Sequence, residues 1–227
     1  DGVRPYVDFI KFAVNKDLQG LTVALDCANG ASYRVAPIIL EELGAKVHVI
    51  NNHPDGCNIN VNCGSTHPGA LCRYVKEVGA DVGLSFDGDA DRLIAVDEKG
   101  EIIDGDHVMA ICGSYMKRKG LLKNNTVVST VMSNMGLEAA LKKAGIKMVR
   151  AKVGDRYVLE EMLSSGYNFG GEQSGHIILL DHNTTGDGIL TGVNLIKVMV
   201  DEQKALPELS QIMKVYPQVL VNVHVVD

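Results

Sequence analysis

Short apolar runs alternate along the chain with longer amphipathic segments. The runs have the length and residue types of buried β-strands, and the amphipathic segments repeat their apolar positions at helical spacing. The predicted strands are Leu21–Asp26, Lys46–Ile50, Val82–Phe86, a hairpin of Leu93–Val96 with Glu101–Ile103, Thr126–Thr130, Lys147–Ala151, Asn168–Gly171, His176–Leu180 and a closing strand in Pro217–Val226. The predicted helices are Ser32–Gly44, Pro68–Val78, Asp106–Lys117, Met135–Ala144, Arg156–Leu163 and Gly188–Glu202.

This alternation predicts the fold class. Strands separated by helices call for mostly parallel sheets that are covered by helices on both faces. The alternation starts again near residue 103. We therefore expect an α/β fold of two consecutive three-layer α/β/α domains with mostly parallel sheets, residues 1–102 and 103–227, each of ordinary domain size.

Composition and charge limit the classes of partner. The 227 residues are 46% hydrophobic and 22% charged, which is typical of a soluble globular protein. A net charge of −6 without a basic stripe argues against a nucleic-acid partner, although it leaves room for an anionic substrate in a locally basic cleft. No apolar run is long enough to cross a bilayer, so no membrane partner is expected. The oligomeric state is left open.

Cysteine usage indicates a reducing compartment. The five cysteines are Cys27, Cys57, Cys63, Cys72 and Cys112. Their odd number and irregular spacing are typical of reduced thiols, and no Cys and His residues have zinc-finger spacing. We expect structural thiols in a cytoplasmic protein.

Three aspartates follow the third predicted strand and alternate with small residues. Asp87, Asp89 and Asp91 are separated by Gly88 and Ala90, which leave the backbone free to curl the carboxylates around one point. Such carboxylates repel one another unless a cation neutralises them. Oxygen ligands of this kind favour a hard divalent cation, Mg²⁺ above all. The alternative is a solvated acidic turn.

Arg92 directly follows the three aspartates, and it argues against an EF-hand and for a nearby phosphate. In an EF-hand, position six needs a glycine, but Arg92 stands there and strands flank the loop, so we reject that motif. A metal repels Arg92, whereas a phosphate shared with the metal attracts it. A salt bridge to one of the aspartates is the alternative.

Two more polar loops are candidates for ligand binding. In Gly170–His176, Glu172 and Ser174 can face the same way and bond sugar hydroxyls, although an ordinary glycine turn is the better explanation when the loop is taken alone. Lys152–Arg156 opens a helix, and a helix N-terminus with nearby cations can hold a phosphate. A capping Asp155 among surface cations is the alternative there.

Together these motifs resemble those of the α-D-phosphohexomutases. Asp87–Arg92 followed at a distance by Gly171–His176 carries the resemblance. Further stretches are similar to the branch of that family that acts on glucosamine phosphate, namely Asp26–Ala31, Asn58–Asn60, Cys63–Thr66, Thr130–Asn134, Val153–Val158 and Thr185–Gly188.

The resemblance implies four domains around a cleft, of which this chain resembles the second and third. It implies an Mg²⁺-dependent intramolecular phosphotransferase that moves a phosphoryl group between O6 and O1 of a hexosamine phosphate through a phosphoserine and a bisphosphate intermediate. The residues that it implies are Asp87, Asp89 and Asp91 for Mg²⁺, Arg92 and His176 for catalysis, and Gly154, Asp155, Arg156, Glu172, Ser174 and His176 for the substrate.

The sequence also departs from the family. Neither a Thr-x-Ser-His-Asn nucleophile loop nor an Arg-x-Ser-Gly-Thr phosphate loop occurs in residues 1–227. We therefore expect an excised middle piece that needs domains 1 and 4 as partners and does not turn over alone. The alternatives are phosphomannomutase or phosphoglucomutase specificity, or a metal-dependent phosphatase or phosphate-binding module. An Asp-nucleophile phosphatase needs Asp-x-Asp-x-Thr after the first strand, where Asp26–Asn29 stands instead.

Overall fold

A computed structural model describes residues 2–219, which contain eight α-helices and nine β-strands in alternation. The helices are α1 Val3–Val14, α2 Ser32–Glu42, α3 Gly69–Val78, α4 Gly105–Arg118, α5 Met135–Lys143, α6 Asp155–Ser165, α7 Gly188–Glu202 and α8 Leu206–Ser210. The strands are β1 Thr22–Asp26, β2 Lys46–Ile50, β3 Val82–Phe86, β4 Leu93–Asp97, β5 Ile102–Ile103, β6 Thr126–Thr130, β7 Lys147–Ala151, β8 Phe169–Gly171 and β9 Ile177–Leu179.

The first sheet has the order β2-β1-β3-β4-β5. Strands β2, β1 and β3 run parallel, and β4 and β5 continue the sheet in antiparallel pairing. Phe86 pairs with Leu93 at the end of the β3–β4 hairpin. The hairpin loop is therefore 87–92, at the carboxyl end of β3.

The second sheet repeats this plan with the order β7-β6-β8-β9. Strands β7, β6 and β8 are parallel, and β9 is antiparallel to β8. Gly171 pairs with Ile177, so the loop of this hairpin is 172–176. Both polar loops thus occupy the same place in their sheets, at the carboxyl end of the third strand in the order.

Helices cover both faces of each sheet, which confirms the predicted three-layer α/β/α architecture with mostly parallel sheets. Helix α3 covers one face of the first sheet, and α7 contacts β3 and β4 from the opposite side. Helix α6 covers one face of the second sheet, and α4 contacts β8. Because α7 also contacts α4, one hydrophobic core runs through both halves of the chain.

The structure adds two helices that the sequence analysis did not predict, α1 and α8. Helix α1 buries Val7, Ile10 and Val14, and α8 buries Leu206. The strand predicted for His176–Leu180 is shorter, and His176 forms an isolated bridge with Arg92 instead.

The closing strand predicted in Pro217–Val226 lies outside the described residues, except for 217–219, which are not in a strand. Among the helices of residues 2–219, none combines the length and apolar character that a membrane span requires.

Candidate active site

The loop 87–92 closes on itself after the fully buried strand β3. The Ala90 amide donates to the Asp87 carbonyl over 3.1 Å, and the Arg92 amide donates to Asp87 Oδ1 over 3.1 Å. Ala90 has a φ of 63°, an uncommon conformation for a residue with a Cβ. Strained residues of this kind persist where their surroundings fix them, often at functional sites. The backbone is thus bent to turn the alternating aspartates inward.

The three carboxylates gather at one point, as the sequence analysis predicted. One oxygen each of Asp87, Asp89 and Asp91 lies within 4.8 Å of the others. Burial, together with the adjoining carboxylates of Asp91 and Asp89, raises the pKa of Asp87 to about 6. Among the described residues, buried Asp91 Oδ1 has no hydrogen-bond partner.

The Arg92 side chain lies near the carboxylates of Asp87 and Asp91 without forming a close ion pair with either. Its Nε lies 3.8 Å from Asp87 Oδ2 and 3.9 Å from Asp91 Oδ1, which is too far for a hydrogen bond. Nε is itself buried without a hydrogen-bond partner in residues 2–219. The guanidinium side chain is 43% exposed, so it can also meet a ligand from outside.

This donor set fits a hard divalent cation. Three hard carboxylate oxygens converge, and the unpartnered Asp91 Oδ1 offers a lone pair that no residue of 2–219 uses. Burial and the adjoining carboxylates keep the pKa of Asp87 high, and a bound divalent cation would favour its ionised form. Asp87, Asp89 and Asp91 are therefore the residues that can hold Mg²⁺.

Two neighbouring loops support the acidic loop from the side of β1. The Ala31 amide donates to the Gly88 carbonyl and the Ser65 amide donates to the Phe86 carbonyl, both over 2.8 Å. Buried Asp26 joins these two loops, because its oxygens accept from the amides of Ala28 and Gly64 over 3.0 Å each. These residues belong to the stretches Asp26–Ala31 and Cys63–Thr66, whose role as supports the sequence alone did not reveal.

The second polar loop, 172–176, is anchored to α6 and α4. Glu172 Oε1 accepts from the Gly154 amide over 3.0 Å, and Ser174 Oγ lies 3.5 Å from Glu172 Oε2. Gln173 Nε2 donates to Asp104 Oδ2 over 3.2 Å. Glu172 and Ser174 therefore lie side by side, as the sequence analysis expected, with Gly154 beside them.

The two loops are in direct contact. Arg92 and His176 form an isolated antiparallel bridge, and the amide of Leu93, directly after the acidic loop, donates to the Gly175 carbonyl over 3.1 Å. Gly175 has a φ of +95°, and a Cβ there would lie 2.1 Å from the Leu93 carbonyl oxygen. The close approach of the loops therefore requires glycine at this position.

His176 lies beneath the loops instead of facing open space. Its side chain is only 3% exposed. Nδ1 lies 3.0 Å from Asp91 Oδ2, and Nε2 accepts from the Gly186 amide over 3.1 Å. Both ring nitrogens thus have partners within the protein, and the substrate contact that the resemblance implies for His176 stays a prediction.

The segment that opens α6 contributes only in part. Gly154 approaches Glu172, and Asp155 Oδ2 lies 4.0 Å from His176 Nε2. Arg156 is not drawn into the cluster, because its Nε donates to Glu160 over 2.7 Å and its side chain is 81% exposed. The phosphate site expected at this helix N-terminus therefore lacks the Arg156 cation.

A hydrogen bond that the sequence did not predict links α1 to the start of α7. Tyr6 Oη donates to the carboxylate of Asp187, with oxygen distances of 2.9 and 3.1 Å. Asp187 in turn caps α7 by accepting from the Leu190 amide over 2.9 Å. Asp187 lies in the stretch Thr185–Gly188, but nothing in its spacing pointed to a tyrosine 181 positions away.

Comparison with protein families agrees with the fold. Residues 4–100 match the family model described as phosphoglucomutase/phosphomannomutase, alpha/beta/alpha domain II, and residues 104–216 match the corresponding domain III. The first range contains the acidic loop and the second contains the 172–176 loop.

Two curated relatives illustrate the similarity in sequence. The phosphoglucosamine mutase of Alkaliphilus oremlandii is 60% identical over 98% of this chain and 50% of its own length. The phosphoglucosamine mutase of Carboxydothermus hydrogenoformans is 61% identical over 100% of this chain and 51% of its own length. The chain thus spans about half the length of the curated relatives that it matches.

Two solved structures illustrate the similarity in fold. A phosphoglucomutase/phosphomannomutase family protein from Burkholderia thailandensis superposes with a TM-score of 0.82 at 24% identity, over 97% of this chain and 47% of its own. An N-acetylphosphoglucosamine mutase from Aspergillus fumigatus, in complex with GlcNAc-6P and magnesium, gives 0.77 at 18% identity, over 97% and 55%. This chain therefore belongs to the phosphoglucomutase/phosphomannomutase family, the α-D-phosphohexomutases, and contains its α/β/α domains II and III.

Proposed function

We propose that this chain forms the central half of an Mg²⁺-dependent phosphoglucosamine mutase, which interconverts glucosamine 6-phosphate and glucosamine 1-phosphate. The two halves, 1–102 and 103–227, would contribute the metal loop and the sugar loop respectively. The convergence of the Asp87, Asp89 and Asp91 carboxylates beside the loop that carries Glu172 and Ser174 supports this proposal most directly. The names of the relatives at about 60% identity favour glucosamine phosphate over mannose or glucose phosphate.

Each side chain has a role in the proposed transfer. Asp87, Asp89 and Asp91 hold Mg²⁺, which when bound neutralises charge on the transferring phosphoryl group. Arg92 reaches the same phosphoryl group with its planar guanidinium, which suits bidentate phosphate binding. Glu172 bonds sugar hydroxyls and so would fix which sugar oxygen faces the transferring phosphoryl group.

The neighbouring groups complete the proposed sugar site. Ser174 and Asp155 are exposed next to Glu172 and His176 respectively, so hydroxyls can reach both. Gly154 holds Glu172 in place through its amide. Phosphoryl transfer requires mainly positioning and charge neutralisation, and these groups supply both.

The transferred group comes, in this proposal, from a phosphoserine outside residues 1–227. Phosphoryl passes from the serine oxygen to the free sugar hydroxyl, which gives a bisphosphate. The bisphosphate then reorients and returns its other phosphoryl group to the serine. The serine loop and the phosphate-docking loop belong to domains 1 and 4, which are the partners of this chain.

A chimera tests this function. The matching half of the Carboxydothermus hydrogenoformans relative is replaced by residues 1–227, with which it is 61% identical over the whole chain. We expect the chimera to convert glucosamine 6-phosphate to glucosamine 1-phosphate with Mg²⁺, as followed by ³¹P NMR. Asp89→Asn is expected to lower the rate at least about 100-fold, because it removes a charge that holds the metal. Residues 1–227 alone are expected to give no turnover.

Glu98→Gln in the same chimera is the matched control. Glu98 is an exposed acidic residue near the trio in sequence, and it stands where an EF-hand would have its last ligand. We expect this variant to keep the full rate. Equal rates for the Asp89→Asn and unaltered chimeras would contradict the metal assignment, and an inactive unaltered chimera would contradict the proposed reaction.

A further inference from the structure

We propose that His176 is a positioning residue that orients Asp91 for the cation. The proposal rests on the metal site of the proposed function. The geometry around the two ring nitrogens carries it.

The hydrogen bonds of the ring fix its tautomer. The Gly186 amide can only donate, so His176 Nε2, 3.1 Å away, must accept with its lone pair. Nδ1 lies 3.0 Å from Asp91 Oδ2, and since a carboxylate oxygen accepts, Nδ1 is the ring nitrogen that donates to it. Asp155 Oδ2 also faces Nε2, but at 4.0 Å it lies beyond hydrogen-bond distance.

This bond determines which oxygen of Asp91 remains for a cation. Oδ2 is held by His176, while Oδ1 is buried and has no hydrogen-bond partner in residues 2–219. Carboxylates that ligate metals are commonly oriented by a hydrogen bond to the oxygen that the metal does not use. His176 thereby leaves Oδ1 as the Asp91 oxygen that can ligate the cation.

Gly186 holds the ring from its other side. A Cβ at this position would lie 2.5 Å from Cε1 and 2.6 Å from both ring nitrogens of His176. Its φ is not in the left-handed region, so the close contact with the imidazole, and not backbone conformation, requires glycine here. Any side chain at 186 must displace the ring and weaken its hold on Asp91.

Binding of Mn²⁺, a spectroscopic substitute for Mg²⁺, tests the proposal without any catalytic readout. Mn²⁺ is titrated into residues 1–227 and the free ion is followed by electron paramagnetic resonance. We expect His176→Leu and Gly186→Ala to weaken Mn²⁺ binding about 10- to 100-fold, the usual effect of removing a group that orients a metal ligand. His182→Asn, a change at an exposed histidine, is the matched control and should bind as the unaltered chain does.

His176→Asn separates orientation from simple packing. The asparagine amide nitrogen is bonded to Cγ, as Nδ1 is in histidine, so it can still donate to Asp91 Oδ2. We expect this variant to bind Mn²⁺ much more tightly than His176→Leu, even though both lose the bulk of the ring. Circular dichroism of each variant reports whether the fold persists. If His176→Leu does not fold, the comparison of His176→Asn with Gly186→Ala decides.

Two outcomes would overturn the proposal. One is unchanged Mn²⁺ binding by a folded His176→Leu or Gly186→Ala variant. The other is binding by His176→Asn that is as weak as that of the variants without a donor. If the unaltered chain itself does not bind Mn²⁺, the metal site of the proposed function fails and the role of His176 fails with it.

Discussion

Replacing Gly175 with alanine tests the contact between the two loops. Two costs are expected. A residue with a Cβ at a φ of +95° loses about 1–2 kcal/mol in backbone energy. The added Cβ would also lie 2.1 Å from the Leu93 carbonyl oxygen, and such overpacking costs about 1–3 kcal/mol because a backbone atom cannot rotate away. We therefore expect Gly175→Ala to lower the free energy of unfolding by about 2–5 kcal/mol.

Gly20→Ala isolates the contribution of the contact. Gly20 has a nearly identical φ of +90°, but nothing lies within 4 Å of an added Cβ. This control should lose only the backbone contribution of about 1–2 kcal/mol. Urea unfolding followed by circular dichroism measures both variants against the unaltered chain. Equal losses for Gly175→Ala and Gly20→Ala would refute the contact between Gly175 and Leu93.

Two further predictions concern stability. Burial raises the pKa of Asp106 from 3.8 to about 6. Between pH 6 and pH 4 the folded chain therefore binds a proton at Asp106 that the unfolded chain does not bind. The free energy of unfolding consequently rises as the pH falls from 6 to 4. Asp106→Asn should lack this gain, which is on the order of 3 kcal/mol. Urea unfolding at pH 7 and pH 4 measures it, and an equal change in the free energy of unfolding for the variant and the unaltered chain would contradict the prediction. Tyr6→Phe should lower the free energy of unfolding by about 1–3 kcal/mol in the same assay, because it leaves buried Asp187 without the hydroxyl that donates to it over 2.9 Å. A loss near zero would show that this bond between α1 and α7 does not stabilise the fold.

Much of the fold follows from local pattern. Strands such as β3 are continuous apolar runs, and α2, α3 and α7 end close to where their apolar spacing stops, so their bounds differ little from the predictions. Helix α1 was equally visible in principle, since Val7, Ile10 and Val14 recur at helical spacing. Its start is poorly marked, however, because α1 has no side-chain N-cap and no acidic residue in its first turn.

The candidate site was predictable where ligands are neighbours in sequence. Asp87, Asp89 and Asp91 alternate within one loop, so their convergence could be inferred from spacing alone. The position of His176 could not be inferred in this way, because its partner Asp91 is 85 residues away and the contact depends on how the two sheets meet. For Arg156, the sequence showed a cation at the start of α6 but did not show that it pairs with Glu160 along the same helix.

A crystal structure of residues 1–227 soaked in Mn²⁺ tests the central claim most directly. We expect one anomalous peak between the loops, with an oxygen of each of Asp87, Asp89 and Asp91 within about 2.5 Å of it. The Asp91 oxygen at the ion should be Oδ1, with Oδ2 still bound to His176. Anomalous density that avoids these carboxylates, or carboxylates turned outward with no ion among them, would contradict the account.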